Sequence, residues 1–223
     1  MLLITLDRVC LCKRVGRMFN PFREDKGGVD HLLWKSGTRQ RVFKGPIFDV
    51  CTVVRTSTDG RSSTFIEVDS PNWVTVLPWY RREDGVPMFV MVDQFRHGSS
   101  TVTREFPAGV VEKGEDPMVA ALRELIEETG LEAKKSSLLG NVSPNSAFMT
   151  NRSNFYLVEG VRLVASQNLD ANEQLDVFSV PVEEVIASMG TGIYDNGIMM
   201  MALGFFLREA HKRPLLVTTL QPE

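Results

Sequence analysis

The sequence predicts an α/β chain of the α+β type: a mixed β-sheet sandwiched between helices, with a β-rich N-terminal arm. Three observations predict it. From Arg41 onward, short runs of β-branched and aromatic residues are separated by turn residues. Several of these runs sit side by side as hairpins do, with no helix between them, while helical periodicity appears over 117–129, 182–189 and 198–210. The length of 223 residues, with 43% hydrophobic content, suffices for one sizeable core, or one core plus a small appendage.

Each element follows from local chemistry. The run VFKGPIFDVCTVVRTS ends at Thr58-Asp59-Gly60, a turn, and STFIEVDS follows, so residues 39–70 read as a β-hairpin. Ser70-Pro71-Asn72 punctuates the chain. WVTVLPWY and PMFVMVDQF are two further strands about the charged turn Arg81–Gly85. TVTREF is a short strand closed by Pro107. SLLGNVS and NFYLVEGV flank an Asn/Ser/Pro loop at 143–154, and LDVFSV is a last strand. The division is therefore an arm of unassigned structure at 1–38, the hairpin at 39–70 and a main domain at 71–223.

Bulk properties exclude several classes. Charged residues are 24% of the chain and Gly and Pro are ordinary in number, unlike a disordered or fibrous protein. A net charge of −3 gives no global attraction to nucleic acid or anionic membrane. Three cysteines, Cys10, Cys12 and Cys51, make no disulfide framework, and Cys10 and Cys12 lack the second pair that zinc requires. No stretch approaches the ~20 apolar residues of a membrane helix, and the opening MLLITLDRVC has the wrong order for a signal peptide. The expected setting is the cytoplasm.

The most informative segment is GVVEKGEDPMVAALRELIEETGL, Gly109 to Leu131. Asp116-Pro117 is a helix start and Thr129-Gly130 a helix stop. At about 100° per residue, Met118, Val119, Leu122, Leu125 and Ile126 gather on one side, and Glu124, Glu127 and Glu128 on the other, with Arg123 at their edge. Clustered like charges repel, which suits a solvated face or a hard divalent cation wanting oxygen ligands. Gly109 is expected in a turn before the helix, and Glu115 at its start.

This segment resembles the Nudix box, G-x5-E-x7-R-E-U-x-E-E-x-G-U with U a bulky aliphatic residue. Gly109, Glu115, Arg123, Glu124, Leu125, Glu127, Glu128, Gly130 and Leu131 match it completely. The flanking VDQFRHGSSTVTREFPAGVVEKGE, with SPNWVTVLPW upstream and LLGNVSPNSAFMTNR downstream, is similar to the ADP-ribose pyrophosphatase, or nucleotide-sugar hydrolase, branch. The likeness spans roughly residues 45–210.

The resemblance implies Mg²⁺, with Mn²⁺ as a substitute, bound by Glu124 and Glu128 and supported by Glu127, Glu115 and the Ala108 carbonyl. Arg123 would orient the glutamates. Divalent ions neutralise a diphosphate and lower the pKa of a bound water. The expected reaction is hydrolysis of a nucleoside diphosphate linked to a sugar, giving a nucleoside monophosphate and a sugar phosphate. Glu173, in LDANEQLDVFSV, aligns with a general base carried by a later loop; Asp170 is the reserve, and Ala171 departs from the branch's best-known members. Arg96 and Arg104 are candidate phosphate or ribose contacts, because guanidinium matches phosphate oxygens bidentately. Phe148 or Trp79 is a candidate for stacking on a base. The loop SPNSAF departs from the usual SPG form, which loosens the choice of sugar. Branch members are commonly homodimers that exchange N-terminal strands, so a homodimer is expected. Rival readings are a nucleoside triphosphate or dinucleoside polyphosphate hydrolase, and a nucleotide-binding regulator without activity.

Overall fold

The computed structural model describes residues 28–219. Cys10, Cys12 and most of the arm assigned to 1–38 lie outside that range. Strands β1 (Trp34–Lys44), β2 (Asp49–Ser57) and β3 (Ser62–Asp69) form an antiparallel sheet in that order. Two expectations are corrected here. The first strand begins at Trp34 rather than after residue 38, and the unit has three strands rather than a hairpin's two. The apolar run 42–57 breaks because Pro46 has no N–H for a ladder; the chain folds back there, and the Gly45 N–H donates to Phe48 O at 3.1 Å.

The main sheet contains β4 (Trp73–Arg81), β5 (Pro87–Arg96), β6 (Thr101–Glu105), β7 (Ala108–Val110), β9 (Lys135–Val142), β10 (Ser153–Glu159) and β12 (Leu175–Pro181). A two-residue pair, β8 (Leu131–Glu132) and β11 (Arg162–Leu163), lies apart from it. The helices are α1 (Pro117–Thr129), α2 (Val182–Ala187) and α3 (Gly197–Lys212). The strand order is β12-β5-β4-β10-β9, with β4 and β10 parallel and the other pairs antiparallel. β7, β8 and β11 escaped sequence reading because two or three residues carry no measurable periodicity.

The sheet splits where function is expected. β4 and β5 pair only through Trp79–Phe89, Tyr80–Met88 and Arg81–Pro87. Beyond that they part; β6 then pairs with β5, and β7 pairs with β4. The link between β6 and β7, Phe106-Pro107, crosses the gap. Phe106 is buried edge-on against Phe89, their ring centroids 4.9 Å apart, which anchors the crossing in the core.

Two apolar layers flank the sheet. One packs Leu77, Phe89, Phe155 and Leu157 against Leu203 and Phe206 of α3. The other packs Val74, Val76, Tyr156 and Val158 against Ala120, Ala121 and Leu125 of α1. Small Ala120 and Ala121 allow α1 to approach the sheet closely. The helical wheel is corrected accordingly: Val119 is 57% exposed, whereas Glu128 is 2% exposed and faces the protein. Among the described residues no helix is long and apolar enough to cross a membrane.

Candidate active site

α1 carries the acidic side chains, and its ends are set by the residues expected. The Asp116 side chain accepts from Met118 N at 2.8 Å, Pro117 opens the helix, and Gly130 closes it at φ 69°. β7 lies beside it, not in a turn as expected of Gly109: Gly109 pairs with Val74 inside a strand. A Cβ on Gly109 would sit 2.0 Å from the Glu124 carboxyl carbon, so the glycine leaves room for that carboxylate.

Arg123 is the hub. Its Nε donates to Glu115 Oε1 at 3.0 Å, and its Nη1 to Glu124 Oε1 and Glu127 Oε2, both at 2.8 Å. Its Nη2 donates to Glu115 Oε2 at 3.1 Å and to Val110 O at 3.0 Å. All the donors of a guanidinium are thereby engaged, so Arg123 orients three glutamates and has none left for a ligand. The same fork holds the Glu115 carboxyl below its ordinary range.

Glu128 is different. The Ala108 N–H donates to its Oε2 at 3.1 Å, and among the described residues it has no ion pair. Burial, then the charge of Glu124, pushes it up to about 8. Burial also raises Glu124, against the opposing pull of Arg123. Two partly desolvated carboxylates stand side by side, and of the two only Glu124 has a cationic partner, an arginine it shares with Glu115 and Glu127, which makes an electrostatically costly arrangement. A hard divalent cation would relieve it, and the donor set of carboxylate oxygens with a backbone carbonyl has the right chemistry. Among the described residues no three His, Cys, Asp or Glu side chains converge as a ready-made metal cage; Arg123 holds Glu115, Glu124 and Glu127.

A cavity of about 330 Å³ opens beside β7, lined by Trp73, Thr75, Arg96, Glu105, Ala108 and Asn196 among others. Arg96 Nε donates to Glu105 Oε1 at 2.9 Å and Nη2 to Oε2 at 2.6 Å. Thr103 also donates to Glu105. Buried Glu105 thus aims Arg96, whose remaining N–H groups are left for the cavity. Glu105 and Asn196 were not singled out from sequence; Glu105 stands in the TREFPAG run, while Asn196 is brought there only by the N-terminus of α3.

Arg104 is oriented otherwise. Its Nε and Nη2 donate to Asp93 at 2.7 and 2.8 Å, with the guanidinium over the Phe178 ring. Trp79 donates its Nε1–H to Leu216 O at 3.0 Å, in the C-terminal packing. Phe148 lies in a separate cavity of about 490 Å³ with Trp34 and Phe65. Glu173 sits on the exposed stretch before β12. The same stretch is tied to the C-terminal end of α1, where Asn168 N donates to Glu127 O at 2.9 Å.

The NUDIX domain family matches residues 71–197. The chain belongs to the Nudix family. It is a Nudix hydrolase, and it is 31% identical over 153 residues to the ADP-ribose pyrophosphatase of Bacillus subtilis, covering 68% of this chain and 80% of that protein. It is also 34% identical over 125 residues to the methanol dehydrogenase activator of Bacillus methanolicus, covering 55% of this chain and 68% of that one. A crystal structure of an ADP compounds hydrolase shares the Nudix fold with a TM-score of 0.69 at 17% identity, over 81% of this chain and 95% of that chain. The match begins at residue 71, so the β1–β3 sheet lies outside the matched residues.

Gly130 of the Nudix box has two reasons to be glycine. Its φ is 69°, and a Cβ would lie 2.1 Å from the backbone Ala165 O. Left-handed backbone costs other residues roughly 1–2 kcal/mol, and here a backbone atom must also move. Gly130→Ala should therefore lower unfolding free energy by about 2 kcal/mol or more in urea titration; a loss below about 0.5 kcal/mol would contradict this close approach.

Proposed function

We propose that this Nudix hydrolase cleaves the diphosphate bond of a nucleoside diphosphate linked to a sugar or similar group, ADP-ribose or another nucleotide sugar, giving a nucleoside monophosphate and a sugar phosphate. The observation that carries the reading is the gathering of Glu124, Glu128, Ala108 and Arg96 at the split between β4 and β5. The substrate class is drawn from the relative in Bacillus subtilis, whose name is ADP-ribose pyrophosphatase.

Glu124 and Glu128 would hold Mg²⁺, or Mn²⁺ in its stead, with Glu127, Glu115 and the Ala108 carbonyl in support. When bound, the ion supplies charge neutralisation of the diphosphate and acidifies a water. Arg123 keeps Glu115, Glu124 and Glu127 in register. Arg96, held by Glu105, binds a diphosphate oxygen and favours the charge that develops there. Glu173 takes the proton of the attacking water. Arg104 serves as a strut between β5, β6 and β12, since it joins Asp93 to the Phe178 ring and does not line the cavity by β7. Phe148, 45% exposed beside Trp34 and Phe65, offers a face to a base.

The β1–β3 sheet supports a homodimer. Every residue of β1 after Trp34 is exposed, and Val42 and Phe43 near its end, with Ile47 and Phe48 in the turn to β2, are exposed apolar side chains open to a second copy of the chain. The cytoplasmic setting rests on Cys51, a free buried thiol.

A panel of ADP-ribose, ADP-glucose, GDP-mannose, UDP-glucose, a dinucleoside polyphosphate and nucleoside triphosphates, with and without Mg²⁺, tests the reading. The expected result is Mg²⁺-dependent release of a nucleoside monophosphate from a diphosphate-linked sugar. Turnover confined to triphosphates or dinucleoside polyphosphates would move the substrate class; no turnover at all would defeat the proposal. In the same assay Glu173→Gln should lower kcat by about tenfold or more with metal affinity nearly intact.

A further inference from the structure

The C-terminal end of α1 is capped by a distant piece of chain. A helix leaves its last carbonyls without intrahelical partners. Here Asn168 N donates to Glu127 O at 2.9 Å, and Gln167 Nε2 donates to Glu128 O at 2.7 Å. Val164 N and Ala165 N converge on Gly130 O at 2.9 and 3.2 Å. Residues 164–168 thus form a strap fastened to the backbone of the residues that carry the acidic cluster. Among these contacts, only that of Gln167 is made by a side chain. The strap runs on to Asp170 and Glu173, which close a turn through Glu173 N to Asp170 O at 2.9 Å and Asp170 N to Glu173 Oε2 at 3.2 Å. Apart from Leu169, which is half-buried, residues 163–174 are exposed, so hydrogen bonds rather than core packing fix the path.

We propose that Gln167 is a positioning residue for the hydrolysis: its amide ties the strap to the Glu128 carbonyl and thereby sets where the Glu173 carboxylate stands relative to Glu124 and Glu128. The proposal rests on Glu173 acting as the base. Gln167 touches no reacting atom. Glu173 lies five positions beyond the anchoring Asn168, and without the amide the strap keeps only backbone hydrogen bonds in water, which open easily. A base that is misplaced by about 1 Å can lose a large part of its effect.

The test uses the full chain and four variants: Gln167→Met, which keeps the side chain's length and removes its donor; Gln167→Lys, which restores a donor at a helix C-terminus; Glu173→Gln; and the double variant Gln167→Met with Glu173→Gln. Gln167→Met should lower kcat about tenfold with KM nearly unchanged, and should speed amide hydrogen exchange across 164–174. Gln167→Lys should recover most of both. In the Glu173→Gln background, Gln167→Met should have no further effect on kcat. An undiminished loss in that background, or an unchanged kcat in Gln167→Met alone, would overturn the positioning role. Full kcat in Glu173→Gln would instead overturn the base assignment and with it the proposal, while the exchange measurement still reads the anchoring by itself.

Discussion

Glu128→Gln is expected to lower Mg²⁺-supported kcat roughly 10³-fold while leaving the metal-free protein at least as stable as before. Two opposed consequences of one position make this informative. Glu128 is 2% exposed, accepts one backbone hydrogen bond from Ala108 and stands next to Glu124, which is why its carboxyl is pushed up to about 8. A buried charge without a cation partner burdens the fold. Gln is nearly isosteric, keeps an oxygen for the Ala108 N–H, and carries no charge. For a ligand of the proposed ion the same change removes an anionic donor. Ion-based stabilisation of the transition state is worth several kcal/mol, and about 4 kcal/mol corresponds to roughly 10³ in rate. Thermal unfolding in chelator and kcat in saturating Mg²⁺ read the two sides separately. A melting temperature that falls by several degrees, with kcat within tenfold of the parent, would make Glu128 a strut of the α1–β7 contact and not a ligand.

Gly109→Ala should reduce apparent Mg²⁺ affinity and kcat/KM by about 10²-fold with only a minor change in stability. The added Cβ would stand 2.0 Å from the Glu124 carboxyl carbon. Gly109 has no left-handed backbone to preserve; its strand pairing with Val74 survives the substitution. What must move is the end of a flexible side chain, so the fold is spared and the carboxylate is displaced. Arg123 reaches Glu124 Oε1 at 2.8 Å, so the displacement would also disturb the arginine's hold on Glu115 and Glu127. Isothermal titration with Mg²⁺ and substrate-saturation kinetics provide the measurement. Unchanged affinity in a folded variant would mean that Glu124 can swing aside without loss, and that its seat beside β7 is not part of the site. Comparison with Gly130→Ala is useful, because there a backbone atom blocks the Cβ and stability should suffer instead.

Much of the architecture was legible because its causes are local. Asp116-Pro117 and Thr129-Gly130 set the bounds of α1, and the structure returns a helix over Pro117–Thr129. The strands at 73–81, 87–96, 153–159 and 175–181 follow their apolar runs. The box residues were legible because their spacing matches one known pattern at every position. The wheel misread Glu128, since a wheel assumes that an acidic residue turns to water; Ala120 and Ala121 instead bring α1 so near the sheet that Glu128 meets the Ala108 N–H. Arg96 and Arg104 looked alike in sequence, both guanidinium groups beside strand ends. Their carboxylate partners, Glu105 and Asp93, differ in what surrounds them, and only Arg96 lines the cavity by β7.

By itself, then, the sequence determined the family, the box helix with its caps and the set of acidic side chains, because these depend on residue type and on spacings within a few turns of one another. The tertiary structure alone decided which glutamate is buried, that Gly109 is a strand residue making room for Glu124, that Glu105 aims Arg96, and that Gln167 fastens the Glu173 segment to the end of α1. Those relations join residues from 9 to 39 positions apart. They arise from the splitting of β4 from β5 and from the crossing of the chain between β6 and β7, which no local pattern in the sequence encodes.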